Sequence, residues 1–200
     1  MNNINIMIVG VGGQGSILAS KVIGSVALQN SFDIKMSEVH GMSQRGGSVV
    51  TSVKLGEKVH APIIDRGEAD IILAFEQLEA LRWIEHLQPG GKMVVNTQKI
   101  EPVPVIIGDA EYPENVLEML KENLQDVVVI NALEKALQAG SKKVVNVVML
   151  GVMASFLPFD RADWLQAVKE NVPRDYLNTN TAAFDSGFNY VSQKGAEINC

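Results

Sequence analysis

The amino-terminal part of the chain changes its hydrophobic pattern in the way typical of a strand, a tight turn and a helix. Residues 4–9 form a short, mostly apolar run, and the glycine-rich stretch GVGGQG follows at residues 10–15. Apolar residues then recur at Leu18, Val22 and Val26, which is the spacing of one helix face. The pattern predicts a buried strand that leads through a glycine turn into a helix.

The next two apolar segments indicate an antiparallel pair of strands. They cover residues 34–39 and 48–55, and the short segment between them is rich in glycine. A parallel connection needs about a dozen residues or more, usually helical, so this link is too short for one. Residues 59–64 are predicted to form a further short extended piece, and Pro62 within it favours a sheet edge.

Strands and helices are predicted to alternate further along the chain, and only helices follow. The predicted segments are strand 69–75, helix 77–87, strand 92–96, extended segment 103–108, helix 114–124 and strand 127–130. Residues 144–157 are apolar on nearly all sides, which is typical of a helix buried between layers or against a partner. The sequence thus predicts a three-layer α/β/α, Rossmann-like fold with a mixed, partly antiparallel sheet and a helical carboxyl-terminal part. We expect one domain over residues 1–190 and a flexible tail at 191–200.

Composition and charge exclude several classes of protein. The 200 residues carry a formal net charge of −6 and contain no basic run, so neither a general nucleic-acid surface nor an anionic-membrane surface is expected. The single cysteine, Cys200, cannot build an iron–sulfur cluster, and the 3 histidines lack metal-ligand spacing. No apolar run is long enough for a membrane helix, and the amino terminus lacks the basic region of a signal peptide. We expect a cytoplasmic protein without a metal site.

The glycine-rich turn is the first candidate binding site. Its candidate residues are Gly10, Gly12, Gly13, Gln14 and Gly15, of which the first, second and last glycines match the dinucleotide-binding pattern G-x-G-x-x-G. Such a turn lets a pyrophosphate approach the helix amino terminus. Glu38 ends the second predicted strand, where a dinucleotide fold places its ribose-binding acid. A nicotinamide or flavin cofactor is one interpretation, and the absence of a helix after that strand speaks against it. The other interpretation is that the glycines serve close packing and a subunit interface.

A second candidate site is the segment 40–47, HGMSQRGG, which concentrates hydrogen-bond donors and one cation on a glycine-rich loop. Its candidate residues are His40, Ser43, Gln44, Arg45, Gly46 and Gly47. The Arg45 guanidinium is a planar fork that suits a carboxylate or a phosphate, and His40 is a weaker candidate as a general base. We expect the loop to open near the glycine turn, at the carboxyl end of the sheet. Alternatively, it is an interface loop in which Arg45 pairs with a partner's carboxylate.

These segments together resemble the gamma-type domain of the 2-oxoacid:ferredoxin oxidoreductases, and most closely the beta subunits of the indolepyruvate-specific members. The matching stretches are GVGGQG at 10–15, SEVHGMSQRGGSVVTSVKLG at 37–56, GEADIILAFEQLEALR at 67–82, PGGKMVVNT at 89–97, YP at 112–113, NVVMLG at 146–151 and NTNTAAFDSG at 178–187. They follow one another over nearly the whole chain. The linked GVGGQG and HGMSQRGG signatures make the resemblance specific.

The resemblance implies an accessory subunit of an enzyme that oxidatively decarboxylates a 2-oxoacid, transfers the acyl group to coenzyme A and reduces ferredoxin. Thiamine diphosphate, Mg²⁺, [4Fe–4S] clusters and coenzyme A would then be bound through a larger partner subunit, and this chain alone would be inactive. The glycine turn and segment 40–47 would line the junction with that partner, and the apolar helix 144–157 would face the partner or the active site. Two alternatives stay open: a free-standing NAD- or FAD-dependent oxidoreductase, and a nucleotide-sensing protein.

Overall fold

A computed structural model describes residues 3–41 and 47–193, and within them a six-stranded sheet forms the centre of the fold. The strands are β1 (Ile4–Val11), β2 (Asp33–His40), β3 (Ser48–Gly56), β4 (Ala69–Ala74), β5 (Leu87–Asn96) and β6 (Val127–Ile130). Their order across the sheet is β2-β3-β1-β4-β5-β6. The predicted α/β fold is confirmed.

The sheet is mixed because one strand runs against its neighbours. β3 pairs antiparallel with both β1 and β2, whereas β1, β4, β5 and β6 pair in parallel. The predicted antiparallel pair is therefore confirmed, and the short link after β2 explains it. β3 also separates β2 from β1, which would be neighbours in a standard dinucleotide fold. The end of β2 thus lies two strand spacings, about 10 Å, from the end of β1.

Helices cover the sheet on both faces. They are α1 (Ser16–Gln29), α2 (Gln77–Trp83), α3 (Val103–Ile106), α4 (Val116–Asn123), α5 (Ala132–Gln138), α6 (Val145–Ala154), α7 (Arg161–Asn171) and α8 (Leu177–Phe188). One layer contains α1 and α5 to α8, and the other contains α2 and α4. Separate apolar clusters fill the two interfaces between helices and sheet, as three layers require.

Helix α6 is buried within the chain itself. Every residue from Asn146 to Ala154 is buried, because the helix packs between the sheet and α8. The expectation that this apolar helix faces a partner is therefore wrong, and its alternative, burial between layers, is confirmed. Gly151 and Gly187 allow the close approach of α6 and α8, since a Cβ at either would collide with backbone of the other helix.

Three predicted segments differ from the structure. Residues 59–64 form no strand, because Val59 donates its N–H to the Asp33 side chain at 2.8 Å and Pro62 has no N–H to donate. Residues 103–108 contain the single helical turn α3, in which Val105 donates to the Pro102 carbonyl at 2.9 Å. β5 begins at Leu87, ahead of the predicted start at residue 92.

The carboxyl-terminal helices agree with the prediction of a helical end to the fold. Beyond α8, residues 191–193 remain helical, and Gln193 donates its N–H to the Asn189 carbonyl at 3.1 Å. The remainder of the expected tail, residues 194–200, lies outside the described part of the chain. None of the helices within residues 3–41 and 47–193 is long and apolar enough to cross a bilayer.

Candidate functional site

The glycine turn connects β1 to α1 at the carboxyl end of the parallel strands. Gly10 is the penultimate residue of β1, and residues 12–14 make the turn before α1 begins at Ser16. Gly15 has a φ of 90°, and a Cβ on it would collide with the Asn146 side chain. The backbone conformation and this contact both require glycine at residue 15. Gly13 has a φ of 95° and has open space around it.

Gln14 closes the glycine turn with its side-chain amide. Its Oε1 accepts a hydrogen bond from the Val11 N–H at 2.7 Å, and its Nε2 donates to the Phe75 carbonyl at 3.0 Å. Nε2 also donates to Gln98 Oε1 at 3.2 Å. Gln14 thereby connects the ends of β1 and β4. The close-packing interpretation of the turn is supported by these contacts.

Glu38 binds groups of this chain with both carboxylate oxygens. Its Oε2 accepts from Ser16 at 3.1 Å and from Thr51 at 2.8 Å, and its Oε1 lies 2.7 Å from His40 Nε2. The side chain is 19% exposed. Glu38 thus connects the start of α1 to β2 and β3. Because β3 also separates β2 from β1, the geometry does not favour a ribose-binding role.

The second candidate site contacts the glycine turn at its carboxyl-terminal end. Gly41 donates its N–H to the Ser48 carbonyl at 2.8 Å, and the Gly47 carbonyl accepts from the Gly12 N–H at 3.0 Å. The expectation that this loop opens near the glycine turn agrees with the contact of Gly47, whereas Gly41 is bonded to the start of β3. Ser43, Gln44, Arg45 and Gly46 lie outside the described residues.

Two buried carboxylates on the opposite face of the sheet were missed by sequence reasoning. Glu79 is 3% exposed, and its Oε2 accepts from the Ser48 hydroxyl at 2.5 Å. Its Oε1 lies 3.4 Å from the Arg82 guanidinium. The pKa of Glu79 is raised above its ordinary value, mainly because the carboxylate is buried. The Ser48 hydrogen bond and the Arg82 charge act against this rise, and the Glu76 charge adds to it. The three-residue spacing of two acids in the apolar stretch 75–84 was the available signal.

Glu76, the other buried carboxylate, holds three segments together. Its Oε1 accepts from the Ile100 N–H at 3.1 Å and from the Tyr112 hydroxyl at 2.5 Å, and its Oε2 accepts from the Glu79 N–H at 3.0 Å. The last bond caps α2. Burial, and next the Glu76 carboxylate, raise the pKa of Tyr112.

Two clefts open beside these residues. One has a volume of about 520 Å³ and is lined by Gly13, Gln14, Phe75, Gln98, Leu133, Lys142, Lys143, Val145 and Asn146. Its lysines precede α6, and the sequence analysis had not singled them out. The second, of about 430 Å³, is mostly apolar and is lined by Met7, Ser37, Val39, His40, Gly41, Ser48, Val50, Ser52, Pro62, Ile63, Ile64 and Trp83. The loop ends Gly41 and Ser48 therefore border an apolar cleft, and the glycine turn borders a cleft with two cations.

Metal ligation has no geometric basis in the described structure. Within residues 3–41 and 47–193, no three His, Cys, Asp or Glu side chains lie close enough to hold a metal ion.

Comparison with known proteins gives one consistent family. Residues 5–190 match the family model described as pyruvate ferredoxin/flavodoxin oxidoreductase. The indolepyruvate oxidoreductase subunit IorB of Methanothermobacter thermautotrophicus is 38% identical, over 96% of this chain and 99% of that protein. The common gamma subunit of the pyruvate and ketoisovalerate oxidoreductases of Thermococcus kodakarensis is 24% identical, over 90% of this chain and 92% of that protein. The crystal structure of the keto/oxoacid ferredoxin oxidoreductase gamma subunit from Geobacter sulfurreducens superposes with a TM-score of 0.71 at 24% identity, covering 95% of this chain and 99% of that one.

Proposed function

Because this chain belongs to the pyruvate ferredoxin/flavodoxin oxidoreductase family, we propose that it is an accessory subunit of a 2-oxoacid:ferredoxin oxidoreductase whose substrate is indolepyruvate or a related aryl 2-oxoacid. The observation that carries the proposal is the 38% identity to a protein named as an indolepyruvate oxidoreductase subunit, which extends over 96% of the chain. The relative named for pyruvate and ketoisovalerate is only 24% identical. This difference favours an aryl substrate.

The chemistry divides between this chain and a larger partner subunit. The enzyme decarboxylates the 2-oxoacid, transfers the acyl group to coenzyme A and passes the electrons to ferredoxin. Thiamine diphosphate with Mg²⁺ supplies the carbanion chemistry, and [4Fe–4S] clusters carry the electrons. A cluster of this kind needs four ligands, usually cysteines, whereas this chain has 1 cysteine. We therefore assign these cofactors to the partner, and we place the complex in the cytoplasm with its ferredoxin and coenzyme A.

The glycine turn and the ends of segment 40–47 are the proposed junction with the partner. Both lie at the carboxyl end of the parallel strands, where open α/β sheets bind their ligands. The Gly12 to Gly47 hydrogen bond joins them into one surface, and Lys142 and Lys143 line the neighbouring cleft. A surface that combines two lysines with the amino terminus of α1 suits an anionic group that the two subunits share.

Anaerobic affinity purification of this chain from its own cells tests the assignment. We expect a brown eluate that contains a larger, cysteine-rich partner and thiamine diphosphate, and that reduces ferredoxin with indolepyruvate and coenzyme A. Parallel assays with pyruvate and ketoisovalerate measure substrate preference, and kcat/KM should be highest for indolepyruvate. A colourless chain that elutes alone would contradict the subunit assignment. A complex that prefers pyruvate would contradict only the substrate.

Arg45 is the proposed ligand of an anionic group, either the substrate carboxylate or a coenzyme A phosphate, because its guanidinium fork matches both. In the assembled enzyme, Arg45→Ala should raise KM for one of these substrates by on the order of tenfold or more. Arg66→Ala is the matched control, since Arg66 is 76% exposed and pairs only with the surface residue Glu85 among the described contacts. An unchanged KM for both substrates would exclude this role.

A further inference from the structure

Glu79 is a buried carboxylate that the proposed reaction does not use. Its side chain is 4% exposed, and the Arg82 guanidinium that faces it at 3.4 Å is itself 46% exposed. Among the described residues, the other charged or titratable groups that act on it are Glu76 and Tyr112. Burying a carboxylate with one partly solvated cation is unfavourable unless hydrogen bonds compensate. Hydrogen bonds from Trp83 and from Ser48, the first residue of β3, compensate this burial, and the Ser48 bond is the one that reaches the sheet.

Two hydrogen bonds of Ser48 and one of the adjoining residue Gly47 connect Glu79 to the glycine turn. The Ser48 hydroxyl donates to Glu79 at 2.5 Å, and the Ser48 carbonyl accepts from the Gly41 N–H at 2.8 Å. The neighbouring Gly47 carbonyl accepts from the Gly12 N–H at 3.0 Å. Glu79 therefore contacts a residue that closes the base of the loop, and the preceding residue, Gly47, contacts the glycine turn.

The position of β3 explains why this connection matters. β3 starts at Ser48, and at this end its neighbours are Val11 on β1 and, one residue further along β3, His40 on β2. On the α1 face, Glu38 fixes this end of the hairpin through Thr51 and Ser16. On the opposite face, the bond of Ser48 to Glu79 is the side-chain hydrogen bond that connects this end to α2. The hairpin end is thus held by one carboxylate on each face of the sheet.

We propose that Glu79 is a positioning residue. By accepting a hydrogen bond from the Ser48 hydroxyl, it fixes Gly41, Gly47 and Gly12 in the geometry that the subunit junction requires. This inference rests in part on the proposed function, because it takes the junction to be the working surface. The role needs an acceptor oxygen at residue 79 and a donor at residue 48. It does not need Glu79 to touch a substrate.

Hydrogen exchange of the isolated chain, read by mass spectrometry, tests the positioning itself. Glu79→Ala and Ser48→Ala should each increase exchange in peptides that cover Gly12 and residues 47–50 by about fivefold, since both remove the Ser48–Glu79 hydrogen bond. The double variant should exchange no faster than the faster of the two single variants, because the two residues act on the junction through one contact. Glu79→Gln retains an acceptor oxygen and should keep most of the protection. Glu118→Ala, which removes an exposed acid from the first turn of α4, is the control and should change nothing at the junction.

Kinetics of the assembled enzyme test the consequence. Glu79→Ala should raise KM for the same substrate that Arg45→Ala affects, by about fivefold, with a smaller change in kcat and with recovery in Glu79→Gln. Exchange effects that are absent, or that add in the double variant, overturn the positioning role whatever the activity of the complex. If the exchange effects of the two variants do not add and KM is unchanged, the positioning role is supported. The result would then contradict the proposal that the junction contacts the substrates.

Discussion

At the scale of single residues, buried and half-buried polar side chains hold the loops of this protein in place. Glu76, Glu79, Glu38 and Gln14 each accept or donate hydrogen bonds across two or more segments. Carboxylates and amides suit this task because one side chain can form hydrogen bonds with several backbone or hydroxyl groups that would otherwise be buried without partners. These residues therefore determine where the chain turns as well as what it can bind.

Tyr112→Phe should destabilise the protein by about 1–3 kcal/mol, because it takes one hydrogen bond from the buried Glu76 carboxylate and removes the acceptor of the Leu78 N–H. The Tyr112 hydroxyl donates to Glu76 at 2.5 Å and accepts from the Leu78 N–H at 3.2 Å. Urea unfolding measures the change. Tyr176→Phe is the control, since Tyr176 is 57% exposed, and its cost should stay below about 0.5 kcal/mol. Equal losses in the two variants would contradict the importance of the Glu76 contact.

The stability difference between the wild type and Glu79→Gln should depend on pH. Burial raises the pKa of Glu79 above the ordinary value of 4.5, so the folded protein keeps this proton at a pH where the unfolded chain releases it. This stabilisation is complete below the pKa of Glu79 in the unfolded chain, and it is lost as the pH rises through the pKa of Glu79 in the folded protein. The free energy of unfolding of the wild type should therefore increase relative to that of Glu79→Gln as the pH falls from 7 towards 5. A difference that stays constant or shrinks on acidification would be inconsistent with the raised pKa.

At the scale of secondary-structure elements, close helix packing and one antiparallel hairpin distinguish this fold. α6 and α8 approach until backbone of each meets a glycine of the other, which allows an apolar helix to be buried on all sides. The hairpin of β2 and β3 was predictable, since the link between the strands is too short for a parallel crossover. The turn at residues 103–108 was not, because Val103, Ile106 and Ile107 are apolar yet 53%, 67% and 62% exposed.

Two helical glycines should respond to alanine with opposite signs. Gly187→Ala should cost about 1–3 kcal/mol despite its better helix propensity, because the new Cβ collides with the Val148 carbonyl on α6. Gly24→Ala in α1 should gain about 0.5–1 kcal/mol, since the nearest atom to the new Cβ is Met36 Cε at 3.6 Å. Thermal and urea unfolding of both variants measure these changes. A stabilising Gly187→Ala would show that α6 and α8 are packed less tightly than described.

At the scale of the whole molecule, the described candidate residues lie together at the carboxyl end of the sheet. The glycine turn, the ends of segment 40–47 and the cleft with Lys142 and Lys143 come from three separate parts of the sequence. The parallel strands bring them together because their carboxyl ends lie on one edge.

Binding of the proposed larger partner should raise the Tm of this chain. A partner present at about 100 times its Kd adds about 2.7 kcal/mol to the free energy of unfolding. For a chain of this size, that corresponds to a shift of about 5–10 °C. Differential scanning fluorimetry with increasing concentrations of purified partner measures the shift, and an unrelated protein at equal concentration is the control. A Tm that does not change with partner concentration would contradict the proposed assembly.

The sequence alone determined the order of most elements, the mixed sheet, the buried helix around Val148 and the family, because hydrophobic periodicity, link lengths and linked motifs are local properties of the chain. The tertiary structure decided which hydrogen bonds the polar side chains form. Glu38 accepts from Ser16 and Thr51, Gln14 closes its own turn, and Glu79 accepts from the Ser48 hydroxyl. Each of these depends on which strand lies between two others or which helix covers a face. Partners 31 residues apart, such as Ser48 and Glu79, meet only when the sheet order has been set, and no local pattern in the sequence encodes that order.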